Sequence, residues 1–349
     1  MYDFERIDIE KINIEEYYNF DTKSVFTSVE WLRFLEEDND GEIVVLRITE
    51  DGKLIGYFSG LIIKKFGIKI FGSPFKGWST RYMSYDLYDN TLIKDLLEPT
   101  VKYIFKSTGC LYIEIVDKNL GPEDMEYIKY ETQLVTTLEI PINKSDEEIL
   151  AGVKRNCRQF IHQFENRGAT AEISEPNDEF AREMYSQICE VFAKQNLVPT
   201  FSLKKIELML KHLGETDMVV CVTARNPEGV PIGCYIGCGM NKKCFGWCIG
   251  SRKEYLWYRP NEYLFWYGLR YCRGHGRESY DFSGVAEYKY KWNPNEVAYL
   301  RIMVGKYPFL ISLRNTAKKG YWKLLKAKGI IRKKFKDKDC ENSEVHNES

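Results

Sequence analysis

The chain has 349 residues, 44% of them hydrophobic and 14% aromatic, which is more apolar material than one small core uses. Its 50 Lys and Arg and 51 Asp and Glu nearly cancel, which excludes a strongly basic nucleic-acid coat and a disordered polyelectrolyte. The charge is uneven along the chain: net −12 over residues 1–150, +5 over 151–313 and +6 over 314–349. An anionic partner is therefore expected at the second half or the tail. The first residues lack the basic and apolar regions of a signal peptide, and no stretch approaches the roughly 18 apolar residues that span a bilayer. Ten cysteines in that setting read as reduced thiols, and the expected location is the cytoplasm.

In chain order, Ser28 to Glu37 has helical periodicity, with Trp31 on its core side. Ile43–Ile48 and Leu54–Gly60 are two β-rich runs around the turn Glu50-Asp51-Gly52-Lys53, and so form a hairpin. A third strand ends at Phe71-Gly72-Ser73 and leads into an aromatic, basic loop carrying Lys76, Trp78, Arg81 and Tyr82. That composition suits a sugar or peptide acceptor, or a packed surface loop. A helix over Leu92–Lys106 and a strand over Cys110–Ile115 follow. Ser145 and Glu148 make a capping box for a helix that runs to Gly168. Arg155, Arg158 and His162 line its polar side, where they suit either an anion or plain solvent. A further amphipathic helix spans Asp178 to Lys194.

From Met218 the pattern repeats. Gly52, Ile55, Gly56 and Gly60 recur as Gly229, Ile232, Gly233 and Gly237, all at one offset of 177. A third strand ending at Ile249-Gly250-Ser251, a helix from Pro260 to Arg273 and a strand over Ser279–Phe282 complete the second copy. The order implies an α+β sheet domain that occurs twice. Residues 314–338 interleave eleven Lys and Arg with aromatic and aliphatic residues. They read as a basic amphipathic helix, suited to an anionic membrane or an RNA backbone, or as a plain packing helix. Residues 339–349 read as a disordered tail.

Several chemistries drop out. There is no phosphate-loop motif and no H-E-x-x-H helix, and Gly274-His275-Gly276 follows a helix, so it is a C-cap rather than a dinucleotide loop. Cys234/Cys238 and Cys244/Cys248 are spaced about 13 Å apart within their strands, too far to share one zinc ion. In a hairpin centred on Asn241, Cys238 would face Cys244 and Cys234 would face Cys248, as small buried residues. No metal site is expected.

Arg259-Pro260-Asn261-Glu262-Tyr263-Leu264-Phe265-Trp266-Tyr267-Gly268, then Tyr280-Asp281-Phe282-Ser283-Gly284, then Lys289-Tyr290-Lys291-Trp292-Asn293 resembles the C-terminal half of the FemABX family. Those proteins pair two acetyltransferase-like (GNAT) modules, with mixed, mostly antiparallel sheets flanked by helices. The resemblance implies modules at 1–144 and 145–313, the second opening with the linking helix, before the basic helix and tail. It also implies transfer of an acyl group to an amine on a cell-envelope or polysaccharide precursor. The donor is acyl-CoA by preference, or aminoacyl-tRNA as in the Fem branch, in which case the product is a peptidoglycan bridge. A degenerate pair that only binds RNA or a membrane is the non-enzymatic alternative.

The sequence departs from ordinary GNAT enzymes in having Trp257-Tyr258-Arg259-Pro260-Asn261 where a glycine-rich pyrophosphate loop would stand. It also lacks the helical arm of some Fem proteins. Acyl transfer needs a neutral amine, oxyanion stabilisation and a proton route. Asp281 and Tyr280 are the candidates for holding or deprotonating the amine, and Lys289 for the oxyanion or carrier phosphate. Arg155, Arg158 and Lys291 are the candidates for phosphate, and Lys76, Trp78, Arg81 and Tyr82 for the acceptor. No tightly bound cofactor is expected. Peripheral contact with the inner membrane face through 314–338 is.

Overall fold

The computed structural model describes residues 1–193, 197, 199, 202–307 and 309. Met1–Val304 form one compact unit. The expected basic helix 314–338 and tail 339–349 lie outside the described residues. The elements run β1 (Tyr2–Ile7), α1 (Ile14–Tyr18), α2 (Val29–Asn39), β2 (Glu42–Glu50), β3 (Lys53–Lys65), β4 (Ile68–Ser73), β5 (Ser84–Leu87), α3 (Ile93–Thr108), β6 (Tyr112–Asp117) and β7 (Glu131–Pro141). There follow α4 (Asp146–Gly152), α5 (Arg155–Asn166), β8 (Thr170–Ser174), α6 (Asp178–Ala193), α7 (Leu203–Leu213), β9 (Val219–Arg225), β10 (Pro231–Met240), β11 (Lys243–Ser251), α8 (Pro260–Gly274), β12 (Ser279–Asp281) and β13 (Asn295–Gly305).

The strands form one sheet in the order β1-β2-β3-β4-β6-β13-β7-β12-β11-β10-β9-β8, with β5 on β3. The duplication is visible in its register. Gly56 and Gly233 each stand where the pairing with the preceding strand slips by a residue. The third strand of each copy then pairs in parallel with the strand that follows its helix, β4 with β6 and β11 with β12. A helix supplies each crossover, as parallel neighbours require.

The centre of the sheet is what the repeat pattern alone does not convey. β7, from the first half of the chain, pairs with β12 of the second copy, and β13, from the second half, lies against β6 of the first. The two then pair antiparallel with each other from Glu131 to Glu139. Each copy's core is therefore closed by the other half's last strand. Leu300, Ile302 and Val304 of β13 pack with Val44, Leu46 and Ile48 of β2 and Leu96, Val101 and Ile104 of α3. Leu138, Ile140 and Ile142 pack with Ile161 and Phe164 of α5 and Leu264, Phe265 and Leu269 of α8. A chain boundary at residue 144 thus divides the sequence but not the cores. On the opposite sheet face, α2 covers β2 and β3 and α6 covers β10 and β11. The α2–α7 contact is fastened by a Lys205–Asp38 ion pair at 2.8 Å.

Two local expectations need correction. The helix from Ser145 to Gly168 is two helices. Its capping box forms as expected, but Val153 and Lys154 are extended, and the Lys154 amide donates to Lys291 O at 2.9 Å. The chain leaves the helix there because that amide and the end carbonyls find partners elsewhere. The cysteine register is also shifted. The β10–β11 turn has two residues, Asn241 and Lys242, so Cys238 pairs with Phe245 and Cys244 with Gly239, on opposite faces. A slip at Ile236/Gly237 then sets Cys234 against Gly250 and Cys248 against Ile236. The nine described cysteines are all free.

Because β13 completes a core to which it is remote in sequence, Ile302→Ala should destabilise the protein by about 2–5 kcal/mol, the usual range for an aliphatic core truncation. Amide exchange should show the lost protection in β2 and α3. Loss confined to α8 and β10 would contradict the exchange of strands.

Candidate active site

The parallel pairing of β11 with β12 ends at Phe245 opposite Asp281, yet β11 continues to Ser251. Where the strands part there is a cleft of about 150 Å³, lined by Gly246–Ile249 of β11, Phe282 and Ser283 beyond β12, Phe265 of α8, Tyr288 and Lys289, and Ile188 and Phe192 of α6. In the first copy the matching place is built differently: β5 pairs with β3 where the second half of β11 pairs with β10. Gly60 and Gly237 match in the repeat, so the registers equate Ser73 with Gly246 and Glu114 with Asp281. β4 stops at Ser73, and the Phe75 ring lies against Gly72, edge-on to Trp78 at 5.2 Å between centroids.

Asp281 is fully buried at the end of β12. Its Oδ1 accepts from Thr137 Oγ1 at 2.5 Å and from the Ser283 amide at 2.6 Å, while Oδ2 is buried with no hydrogen-bond partner. Burial pushes its pKa up to about 6; Lys243, Arg81 and the Thr137 hydroxyl oppose the rise, and Glu139 adds to it. Lys289 is buried beside it and donates to Phe282 O at 2.6 Å and Gly284 O at 3.1 Å. Burial, with help from Arg81 and against Asp281, brings its pKa down to about 8. Arg81 reaches across from the first copy and donates to Ser283 O. The turn 281–284 is therefore gripped by Thr137 of β7, by Arg81 and by Lys289. A carboxylate that titrates near neutrality, with one free oxygen and a buried cation beside it, has the makings of a general base with an oxyanion stabiliser.

The other expected residues fall differently. Tyr280 points to the opposite face of the sheet from Asp281, as alternation on a strand dictates, and its hydroxyl meets that of Tyr235 at 2.8 Å in the core. It does not reach the cleft. Lys291 is paired with Glu262 in the first turn of α8. Arg158 is spent on the end carbonyls of the preceding helix, Leu150 O at 2.8 Å and Val153 O at 2.6 Å, and Arg155 is exposed at the start of α5. Within the acceptor loop Lys76 is exposed, while Trp78 and Tyr82 are buried; Tyr82 sits edge-on to Phe245 and Tyr299. Of that loop the fold brings Arg81, and with it the buried Tyr82, toward Asp281.

Sequence reasoning missed Thr137 and Glu139. Their signal was the alternation of Leu138, Ile140 and Ile142, which marks a half-buried strand. It also missed Arg167 and Arg259. These lie over the rings of Trp257 and Phe160 near the start of α8, each with one buried guanidinium nitrogen that has no hydrogen-bond partner. Among the described residues there is no group of three or more His, Cys, Asp or Glu able to hold a metal ion.

A raised carboxyl pKa stabilises the folded state below about pH 4, and that contribution is lost as pH rises through 6. At pH 7 the ionised Asp281 costs about 3 kcal/mol by this linkage. Asp281→Asn should therefore gain stability relative to the parent as pH goes from 4 to 7, measured as a difference in denaturant midpoint. A pH-independent difference would contradict the burial of the charge.

Residues 151–292 match the family model described as an acetyltransferase (GNAT) domain. No curated protein matches the chain. Among solved structures, FemX is similar with a TM-score of 0.70 at 14% identity, covering 88% of this chain and 99% of that one. A conserved protein of unknown function from Bacteroides thetaiotaomicron is similar with a TM-score of 0.55 at 12% identity, covering 88% and 100%. The C-terminal domain of a protein described as a lysylphosphatidylglycerol synthetase from Agrobacterium fabrum gives a TM-score of 0.53 at 12% identity, covering 84% and 91%. Residues 151–292 thus match a GNAT-type domain model, and the chain shares its fold with FemX.

Proposed function

We propose that the chain is an N-acyltransferase whose reaction takes place at the parting of β11 and β12, with Asp281 as the base. The observation that carries this reading is the unpartnered Asp281 Oδ2 in a GNAT-type domain, on a carboxyl that titrates near pH 6 beside Lys289. Asp281 takes a proton from the acceptor ammonium, and the neutral amine nitrogen attacks the acyl carbonyl carbon. The C–N bond forms and the C–S bond to the carrier breaks, the nitrogen's second proton passing to the leaving thiolate, while Lys289 balances charge on the carbonyl oxygen or the leaving group. The cleft is narrow, which suits an acyl group on a slender thioester arm, and acyl-CoA is the preferred donor.

The acceptor, an amine on an envelope or polysaccharide precursor, follows from the FemABX resemblance. Arg81, from the first copy, faces it. For the phosphates of the carrier, Arg167 and Arg259 join the exposed Arg155 and replace Arg158 and Lys291, since both of those already have partners. Aminoacyl-tRNA is the second reading, favoured by the net +5 of residues 151–313.

Turnover of acetyl-CoA, followed as thiol release with a panel of amino sugars and amine-bearing peptides, tests the site. The rate should rise through about pH 6 as Asp281 ionises and fall above about pH 8 as Lys289 loses its proton. Asp281→Asn should lower kcat by about 10²–10⁴-fold with the fold intact, the usual worth of a general base. Unchanged turnover in that variant would remove Asp281 from the reaction.

A further inference from the structure

The β3–β4 hairpin carries two locally unfavourable choices within six residues. Its turn, Phe66-Gly67, has both central residues at positive φ, +52° and +78°, as in a type I′ turn, which favours Asn-Gly. A phenylalanine held there is strained, and this one leaves its whole side chain in solvent, more exposed than any other described aromatic. Beside it Lys64 stands directly opposite Lys69 across the strands, a like-charge pair that destabilises a hairpin. Neither lysine, nor Lys65, forms an ion pair with a described carboxylate, although the surrounding half of the chain is strongly acidic.

The second copy shows what the turn looks like without this burden. At the matching place, the first residue of the β10–β11 turn is Asn241, at φ +49°, and its side-chain amide donates to Phe20 O and Lys23 O, both at 3.1 Å. There the left-handed residue suits the turn and the tip is fastened to the protein. In the first copy Phe66 does neither among the described residues.

We propose that this tip, Lys64 to Lys69, is a wedge for the surface of an anionic bilayer. Phe66 and the half-exposed Ile68 enter the boundary between headgroups and acyl chains, and Lys64, Lys65 and Lys69 meet the lipid phosphates. An aliphatic residue beside the single aromatic favours lipid over RNA, whose bases stack on aromatic rings in series. The proposal is independent of the catalytic reading.

The test is co-sedimentation of the full chain with vesicles of phosphatidylcholine alone or mixed with phosphatidylglycerol, at low and high salt. Binding should need phosphatidylglycerol and weaken with salt. Phe66→Asn should lower vesicle affinity by about tenfold, while keeping or raising the melting temperature because the turn is relieved. Phe66→Trp should retain binding. Lys64→Ser with Lys65→Ser should cost roughly tenfold or more. No phosphatidylglycerol-dependent binding, or binding unchanged in Phe66→Asn and in the double lysine variant, would overturn the proposal. So would variants that lose affinity for RNA while vesicle binding stands.

Discussion

The structure depends on the exchange of β7 and β13. Neither copy can bury its sheet face and its crossover helix without the strand that the other half of the chain provides, because Leu138 and Ile140 close one core and Leu300 and Ile302 the other. The exchange makes Met1–Val304 one body rather than two modules on a linker. It also decides where the site lies. Thr137, which holds Asp281, is on β7, and Arg81, which holds the turn beyond it, is in a first-copy loop. The candidate base belongs to the second copy but is positioned by the first.

The two copies differ at the place where the second has its cleft. At matching register positions stand Glu114 and Asp281, both buried acids. Glu114 is met by the Arg301 guanidinium from β13 at 3.0 Å and by the Tyr112 hydroxyl. Asp281 is met by a neutral hydroxyl and an amide on one oxygen only. Burial, only partly opposed by Lys243 and Arg81, leaves the Asp281 carboxyl, with one oxygen unpartnered, able to exchange a proton near pH 6. The strands differ in the same sense. β11 runs on past the end of β12, whereas β4 stops at Ser73 and β5 takes up the pairing with β3.

Much of this was legible in the sequence. The offset of 177 gave the two hairpins, and the turn, strand and helix patterns placed both crossover helices within a few residues. Asp281 and Lys289, named from the family resemblance, do lie together at a strand end. Strand exchange was not legible, since alternating residues such as Leu300, Ile302 and Val304 announce a strand without naming the sheet it joins. For the same reason Thr137 could not be matched to Asp281, 144 residues away. Arg158 and Lys291 looked available because sequence does not show which carbonyls or carboxylates lie across the fold. The break at Val153 was hidden by unbroken helical periodicity, because the deciding bond is made to Lys291 O.

The most direct test of the central claim, acyl transfer from a carrier seated at the second copy, is thermal stabilisation by candidate donors. CoA and acetyl-CoA would be compared with charged and uncharged tRNA at two salt concentrations, since a ligand that binds only the folded state raises its melting temperature. A shift with CoA and acetyl-CoA that survives high salt is the predicted result. A shift with charged tRNA alone would move the donor to the aminoacyl class, and no shift with any of the four would contradict a carrier site in this chain.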